Sequence, residues 1–139
     1  ILDTFIVEEA MIKEVKFLKE SSTVENAYKI IKNSSISGFP VICEQNNLVG
    51  IISSNEISAA KVKSGERTDS IKSICTKKII KIYPDQSLMY ALHLLDKFHI
   101  SRIPVVSRLD NKKVIGIITA NDITNRFGLH VSENSDRLE

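Results

Sequence analysis

The sequence predicts an α/β (α+β) fold in which two β-α-β-β-α repeats pack about a pseudo-two-fold axis, and three observations carry that prediction. Two distant stretches of the chain match each other at a nearly constant offset. Each copy contains one amphipathic helix pattern, and each contains two short apolar runs joined by a polar turn.

The repeat is legible residue by residue. Ile36 to Glu44 reads ISGFPVICE and Ile100 to Arg108 reads ISRIPVVSR, while Val49 to Ile57 reads VGIISSNEI and Ile115 to Ile123 reads IGIITANDI. The offset is 64 in the first pair and 66 in the second, because EQNNL in the first copy answers to the longer RLDNKKV in the second. Extra residues at that point suit a hairpin loop, where insertion is cheap.

Within each copy the elements follow in the same order. Ser22-Thr23-Val24-Glu25 has the form of a capping box, after which Val24, Ala27, Tyr28 and Ile31 fall on one helical face. The second copy, after Pro84 and Asp85, repeats this with Leu88, Ala91, Leu92 and Leu95. Two hairpins follow, Phe39 to Cys43 with Leu48 to Ser53 and Ile103 to Val106 with Val114 to Thr119. Their nearly continuous apolar character predicts strands covered on both faces, or nearly so. Second helices start near Asn55 and Asn121 and stop near Gly65 and Gly128, and a strand around Glu14 to Leu18 or Ile79 to Tyr83 precedes each first helix. One such unit alone leaves an apolar face wet, so two are expected to pack together. The resulting division is residues 1–62 for the first repeat with its lead-in, 63–70 for a polar linker, 71–128 for the second repeat and 129–139 for a polar tail. The start at Ile1 and the polar end from Val131 read as signs of a piece of a larger protein.

Composition narrows the function. With 139 residues and 42% hydrophobic content the chain can bury a core, and a net charge of +2 gives no dense basic stripe for nucleic acid. Cys43 and Cys75 sit in apolar runs and read as buried, reduced thiols, which suits a cytoplasmic setting. No apolar run is long enough to span a bilayer, so direct membrane insertion is not expected, although the chain fits the cytosolic domain of a membrane protein. His93, His99 and His130 show no metal-ligand spacing, and no nucleophile elbow, phosphate loop or acid-base carboxylate pair is present. Neither a catalytic nor a metal site is expected, and no cofactor is required.

The doubled β-α-β-β-α order, the Pro-containing strands GFPVI and RIPVV, and the twice-occurring Gly-apolar-apolar-Ser/Thr-x-x-acid-apolar motif together resemble the CBS domain family. That resemblance covers nearly the whole chain and implies a compact pair with two ligand clefts between its halves. In the second copy it assigns ligand-binding roles to Gly116, Thr119 and Asp122. Asp122 would accept hydrogen bonds from both ribose hydroxyls. Thr119, with the amides of the helix start, would meet a phosphate, and Gly116 would let backbone or ligand approach closely. Arg102, two residues before Pro104, takes a family position that can carry a phosphate-facing basic residue, and its planar fork suits that task. Thr76, just before the first strand of that copy, resembles a family position near the adenine or its phosphate, and Ile80, Ile103 and Val105 are of the type that lines an adenine slot. The first copy departs from the pattern: Ser53 stands for the Thr, Glu56 for the Asp, and Gly38 for Arg102. Its phosphate affinity should be weaker.

Each residue also has a plainer reading. Asp122 and Glu56 suit the first turn of any helix, Thr119 and Ser53 are common caps, and the glycines and prolines shape turns and edges. The function implied by the resemblance is a regulatory module that senses an adenine nucleotide (AMP, ADP or ATP, with S-adenosylmethionine ranked behind them), is homodimeric and is attached to a larger protein. The alternative is a ligand-free dimerisation module of a protein such as a chloride-channel-type transporter.

Overall fold

A computed structural model describes residues 2–64 and 69–128, so the proposed stop at Gly65, most of the polar linker, His130 and the tail at 129–139 lie outside the described residues. The chain divides into two units, one of residues 16–79 and one of residues 2–15 with 80–128. The chain-order division at 62 and 71 therefore differs from the division in space. Each short lead-in segment belongs to the unit built on the other repeat.

The first unit contains β1 (Leu18–Lys19), α1 (Val24–Ile31), β2 (Gly38–Ile42), β3 (Leu48–Ser53) and α2 (Ser54–Ser64). Its sheet runs β1-β2-β3, with β1 parallel to β2 and β2 antiparallel to β3. Helix α1 begins at Thr23, whose Oγ1 accepts from the Asn26 amide at 3.0 Å, so the cap falls one residue later than the Ser22-x-x-Glu25 pattern implies. Val24, Ala27 and Ile31 are buried and Tyr28 is half-buried under the Lys61 ammonium, 5.4 Å from the ring centre. Lys61 also pairs with Glu25 and ties α2 to α1. Phe39, Val41, Ile52, Ile57 and Ile71 form the core with Leu18.

The second unit contains α3 (Leu88–Phe98), β4 (Arg102–Val106), β5 (Val114–Thr119) and a last helix α4 over residues 120–128. Ser87 caps α3, accepting from the Tyr90 amide, and His99 ends it in the left-handed region at φ 51°. The buried face is Leu88, Ala91, Leu94 and Leu95, whereas Leu92 is 38% exposed, so the expected stripe is corrected by one position. The strand expected over Ile79 to Tyr83 reduces to one parallel bridge, Ile82 to Val105. The reason is Pro84. Its counterpart in the first unit, Glu20, donates its amide to the Ile42 carbonyl and extends the ladder, and proline has no N–H to do so.

The lead-ins are matched straps. Residues 2–15 make a 3-10 turn at Val7–Glu9, and residues 69–79 make one at Ile71–Ser73. Val7 is fully buried in the second unit's core and Ile71 in the first unit's. Each strap then pairs with the edge of a hairpin: Ile12 and Ile117 exchange amide bonds of 2.8 and 2.9 Å, as do Thr76 and Ile51. Ile117 and Ile51 lie opposite Pro104 and Pro40 in the hairpin register. The prolines cost their own ladder nothing there, and the isoleucines are left to bind the strap.

Candidate ligand site

In the second unit, hairpin register brings three of the expected residues together. Arg102 opens β4, Thr119 closes β5, and the two are paired across the hairpin. Thr119 then becomes the cap of α4. Its hydroxyl accepts from the Asp122 amide at 3.1 Å, while the Asp122 Oδ2 accepts from the Thr119 amide at 2.9 Å and from its hydroxyl at 2.8 Å. The reciprocal box leaves the Asp122 carboxylate half-buried, with Arg102 across the hairpin from Thr119 and near enough to feel the carboxylate's charge. Burial pushes Arg102 below its ordinary value, and the charge of Asp122 works in the opposite direction. An arginine so placed stays cationic and is best served by anionic neighbours.

The first unit repeats the box without a counterpart of Arg102. The Glu56 amide donates to Ser53 Oγ and the Ser53 amide to Glu56 Oε1, both at 3.0 Å, and Glu56 is exposed. Gly38 lies opposite Ser53. Capping accounts for both residues as they stand.

Other expected positions are placed differently. Thr76 lies in the first unit, bridged to Ile51 and so two residues along β3 from Ser53; it is not in the unit of Asp122. The strap residue in the matching place beside β5 is Ile12, 48% exposed, which the sequence reading passed over. The turns Val7–Glu9 and Ile71–Ser73 lie 64 residues apart, which makes Ile12 the counterpart of Thr76. Ile103 and Val105 are fully buried in the core with Ile118, and Pro104 is buried behind β5, whereas Ile80 is half-buried at the edge of that core. Only Ile80 of the expected slot residues reaches the surface.

Gly116 is needed for the strap. A Cβ there would meet Met11 Sδ at 2.5 Å and the Ile12 carbonyl at 3.1 Å, and at Gly50 it would meet Cys75 Sγ at 2.6 Å and the Thr76 carbonyl at 3.1 Å. Both motif glycines are buried under a strap, so the close approach expected at Gly116 is made here by the strap's own backbone and Met11. Cys75 is buried as expected, and burial pushes its thiol up, while Cys43 is only half-buried and its Sγ lies 3.3 Å from Gln45 Oε1. The described residues also form a groove of about 450 Å³ in the first unit, lined by Lys16, Phe17, Ile30, Asn33, Ile36 and Phe39 among others. No helix among the described residues is long and apolar enough to cross a membrane.

Two hairpins, two straps and two strand-to-helix capping boxes define a tandem repeat module with a carboxylate at the start of each final helix. The chain belongs to the CBS domain family, whose model matches residues 7–63 and again 71–128. It is similar to the inosine-5'-monophosphate dehydrogenase of Methanocaldococcus jannaschii, 33% identical over 119 residues that make up 86% of this chain and 23% of that protein. The activity in that name belongs to a protein of which this chain spans less than a quarter. Among solved structures it is similar to the CBS domain pair of protein MJ0100 in complex with 5'-methylthioadenosine and S-adenosyl-L-methionine, with a TM-score of 0.75 and 29% identity over 88% of this chain and 95% of that one. A putative acetoin utilization protein from Vibrio cholerae, at 21% identity and a TM-score of 0.79 over 95% and 97% of the two chains, shares the fold.

Proposed function

We propose that this CBS pair is a regulatory module that binds an adenosine-containing ligand at Thr119, Asp122 and Arg102, and through it modulates an attached or partner protein in the cytoplasm. The observation that carries the reading is the half-buried Asp122 carboxylate, fixed through Oδ2 by Thr119, with Arg102 paired to Thr119 across the hairpin. Its second oxygen is suited to accept from a ribose diol, a charge-assisted arrangement that a neutral side chain does not reproduce. Arg102 is suited to a phosphate, which favours AMP, ADP or ATP. The ligands of the MJ0100 pair support the adenosine class and raise S-adenosylmethionine from its lower rank.

Calorimetric titration with adenosine and AMP tests the two roles together. Asp122→Ala is expected to weaken both ligands by about ten- to a hundredfold, the usual consequence of losing hydrogen bonds to a charged group. Arg102→Ala is expected to weaken AMP and leave adenosine nearly unchanged. Equal losses for both ligands in the Arg102 variant overturn its phosphate role, and full affinity in the Asp122 variant overturns the site.

A second copy of the chain is the partner we propose for α3, whose outer face exposes Met89 at 47%, Tyr90 at 42%, Leu92 at 38% and Phe98 at 40%. Light scattering at high micromolar concentration is expected to give a dimer mass. A strictly monomeric mass overturns the homodimer.

A further inference from the structure

We propose that the N-terminal strap, residues 2–15, is the output element of the Asp122 site: the capping box that holds a ligand and the strap's grip on its unit stabilise each other. The strap is tied at three levels to the elements that carry the box. Ile12 bridges Ile117, two residues before Thr119 on β5. Met11 covers Gly116 on the same strand. Arg126, one helical turn beyond Asp122 on α4, donates to Glu9 Oε2 at 3.2 Å and lies 4.6 Å from the Phe5 ring centre. Residues i and i+4 share a helix face, so the carboxylate and the latch move as one rigid turn.

The other strap lacks that latch. The positions of Phe5, Glu9 and Arg126 are taken in the first unit by Asp69, Ser73 and Ala60, which supply neither the aromatic ring nor the arginine of the latch. That unit also lacks a counterpart of Arg102. The full box with its cation and the latched strap therefore occur together, in the same unit. Coupling is reciprocal: what the strap lends to the box, a ligand on the box returns to the strap. Occupancy thus tightens the chain where it enters the second unit, and emptying the site loosens it.

Only the ligand arm of the test rests on the adenosine reading proposed above. Amide hydrogen exchange of the whole chain follows Val7, Met11 and Ile12 on the strap, which donate to Gln86, Val7 and Ile117, and Thr119 and Asp122 in the box. Without ligand, Arg126→Ala and the gentler Glu9→Gln are expected to speed exchange at Thr119 and Asp122 by about two- to fivefold, the range of a partly exposed ion pair. With saturating AMP, exchange at Val7 and Ile12 is expected to slow, and Arg126→Ala is expected to diminish that slowing. Box amides that ignore both variants overturn the inference, whether or not AMP binds. AMP binding that leaves the strap amides unchanged overturns it as well. A chain that gives no heat with AMP refutes the ligand reading, and the unliganded arm then decides the coupling by itself.

Discussion

Opposite the capping box of the second unit stands Arg102, and opposite that of the first stands Gly38. Both boxes exchange two backbone-to-side-chain bonds, at 3.0 Å in the first unit and at 2.9 and 3.1 Å in the second, where the Thr119 hydroxyl adds a third to Asp122 at 2.8 Å. The acids differ in reach and setting: Glu56 is exposed, and Asp122 is half-buried and feels the charge of Arg102. The comparison separates what a motif does for folding from what it can do for binding. Any Ser/Thr-x-x-Asp/Glu at a helix start caps that helix. A binding role is better served by a carboxylate that is partly sheltered and has a cationic residue across the hairpin, and among the described residues the second unit combines Asp122 with Arg102 in that way.

The largest effect expected from this comparison is in the titrations. Where Asp122→Ala costs about ten- to a hundredfold in affinity, Glu56→Ala is expected to cost less than about threefold, within what a surface substitution does. A larger loss at Glu56 would reverse the ranking of the two boxes.

The motif glycines give the next contrast. At Gly50 a new Cβ meets Cys75 Sγ at 2.6 Å and Cys75 Cβ at 3.3 Å, a short stiff side chain, whereas at Gly116 the nearest atoms belong to the flexible Met11. Gly50→Ala is expected to destabilise by about 1 to 3 kcal/mol, as overpacking does. Gly116→Ala is expected to cost less, because the methionine can turn away and the unfolded chain loses some freedom. Urea unfolding measures both, and Cys75→Ala is expected to recover part of the first loss. Equal costs at the two glycines would show that the straps' backbone carbonyls, both at 3.1 Å, set the limit instead of the sulfurs.

The smallest effect concerns the hairpin loops. In the second unit Arg108 lies 3.9 Å from the Tyr83 ring centre and forks to Asp85 at 2.9 and 3.3 Å. The arginine bond holds the Asp85 carboxyl below the usual carboxylate range. Since the folded-state pKa is lowered, the contribution is present above the unfolded value, near 4, and is lost as pH falls through the lower folded value. The first unit has Lys19, Ser21 and Glu44 at these positions and no such fork. Tyr83 ring resonances are expected to hold from neutral pH down to about 4 and to shift below it. A ring that moves near pH 6 would assign the change to another group.

Much of this was readable from residue order. The spans of β3 and β5 coincide with the apolar runs predicted for them, because a run bounded by polar turns and doubled along the chain admits one register. The Arg102, Thr119, Asp122 grouping followed from a motif, and hairpin pairing realises it. What stayed hidden depends on contacts distant in sequence. Thr76 is near the second repeat along the chain and in the first unit in space, and no local pattern announces that exchange. On a helical wheel Leu92 lies nearer than Leu94 to the face of Leu88, Ala91 and Leu95, and packing nonetheless buries Leu94. The loss of a strand before α3 was in principle visible at Pro84, since a missing N–H ends a ladder.

The strap exchange bears on how such a protein came to exist. A lone ancestral repeat of this kind would have carried a lead-in able to close another copy's core and a core awaiting another copy's lead-in, as Val7 and Ile71 now do reciprocally. Such a repeat is self-sufficient only in company: it must associate with its own kind before it can bury its interior. Fusion of two copies in one gene turned that concentration-dependent step into an intramolecular one, with the linker setting the effective concentration. Within one chain the two copies need not match, since neither serves both ends of a symmetric pair, and here one has Arg102 where the other has Gly38.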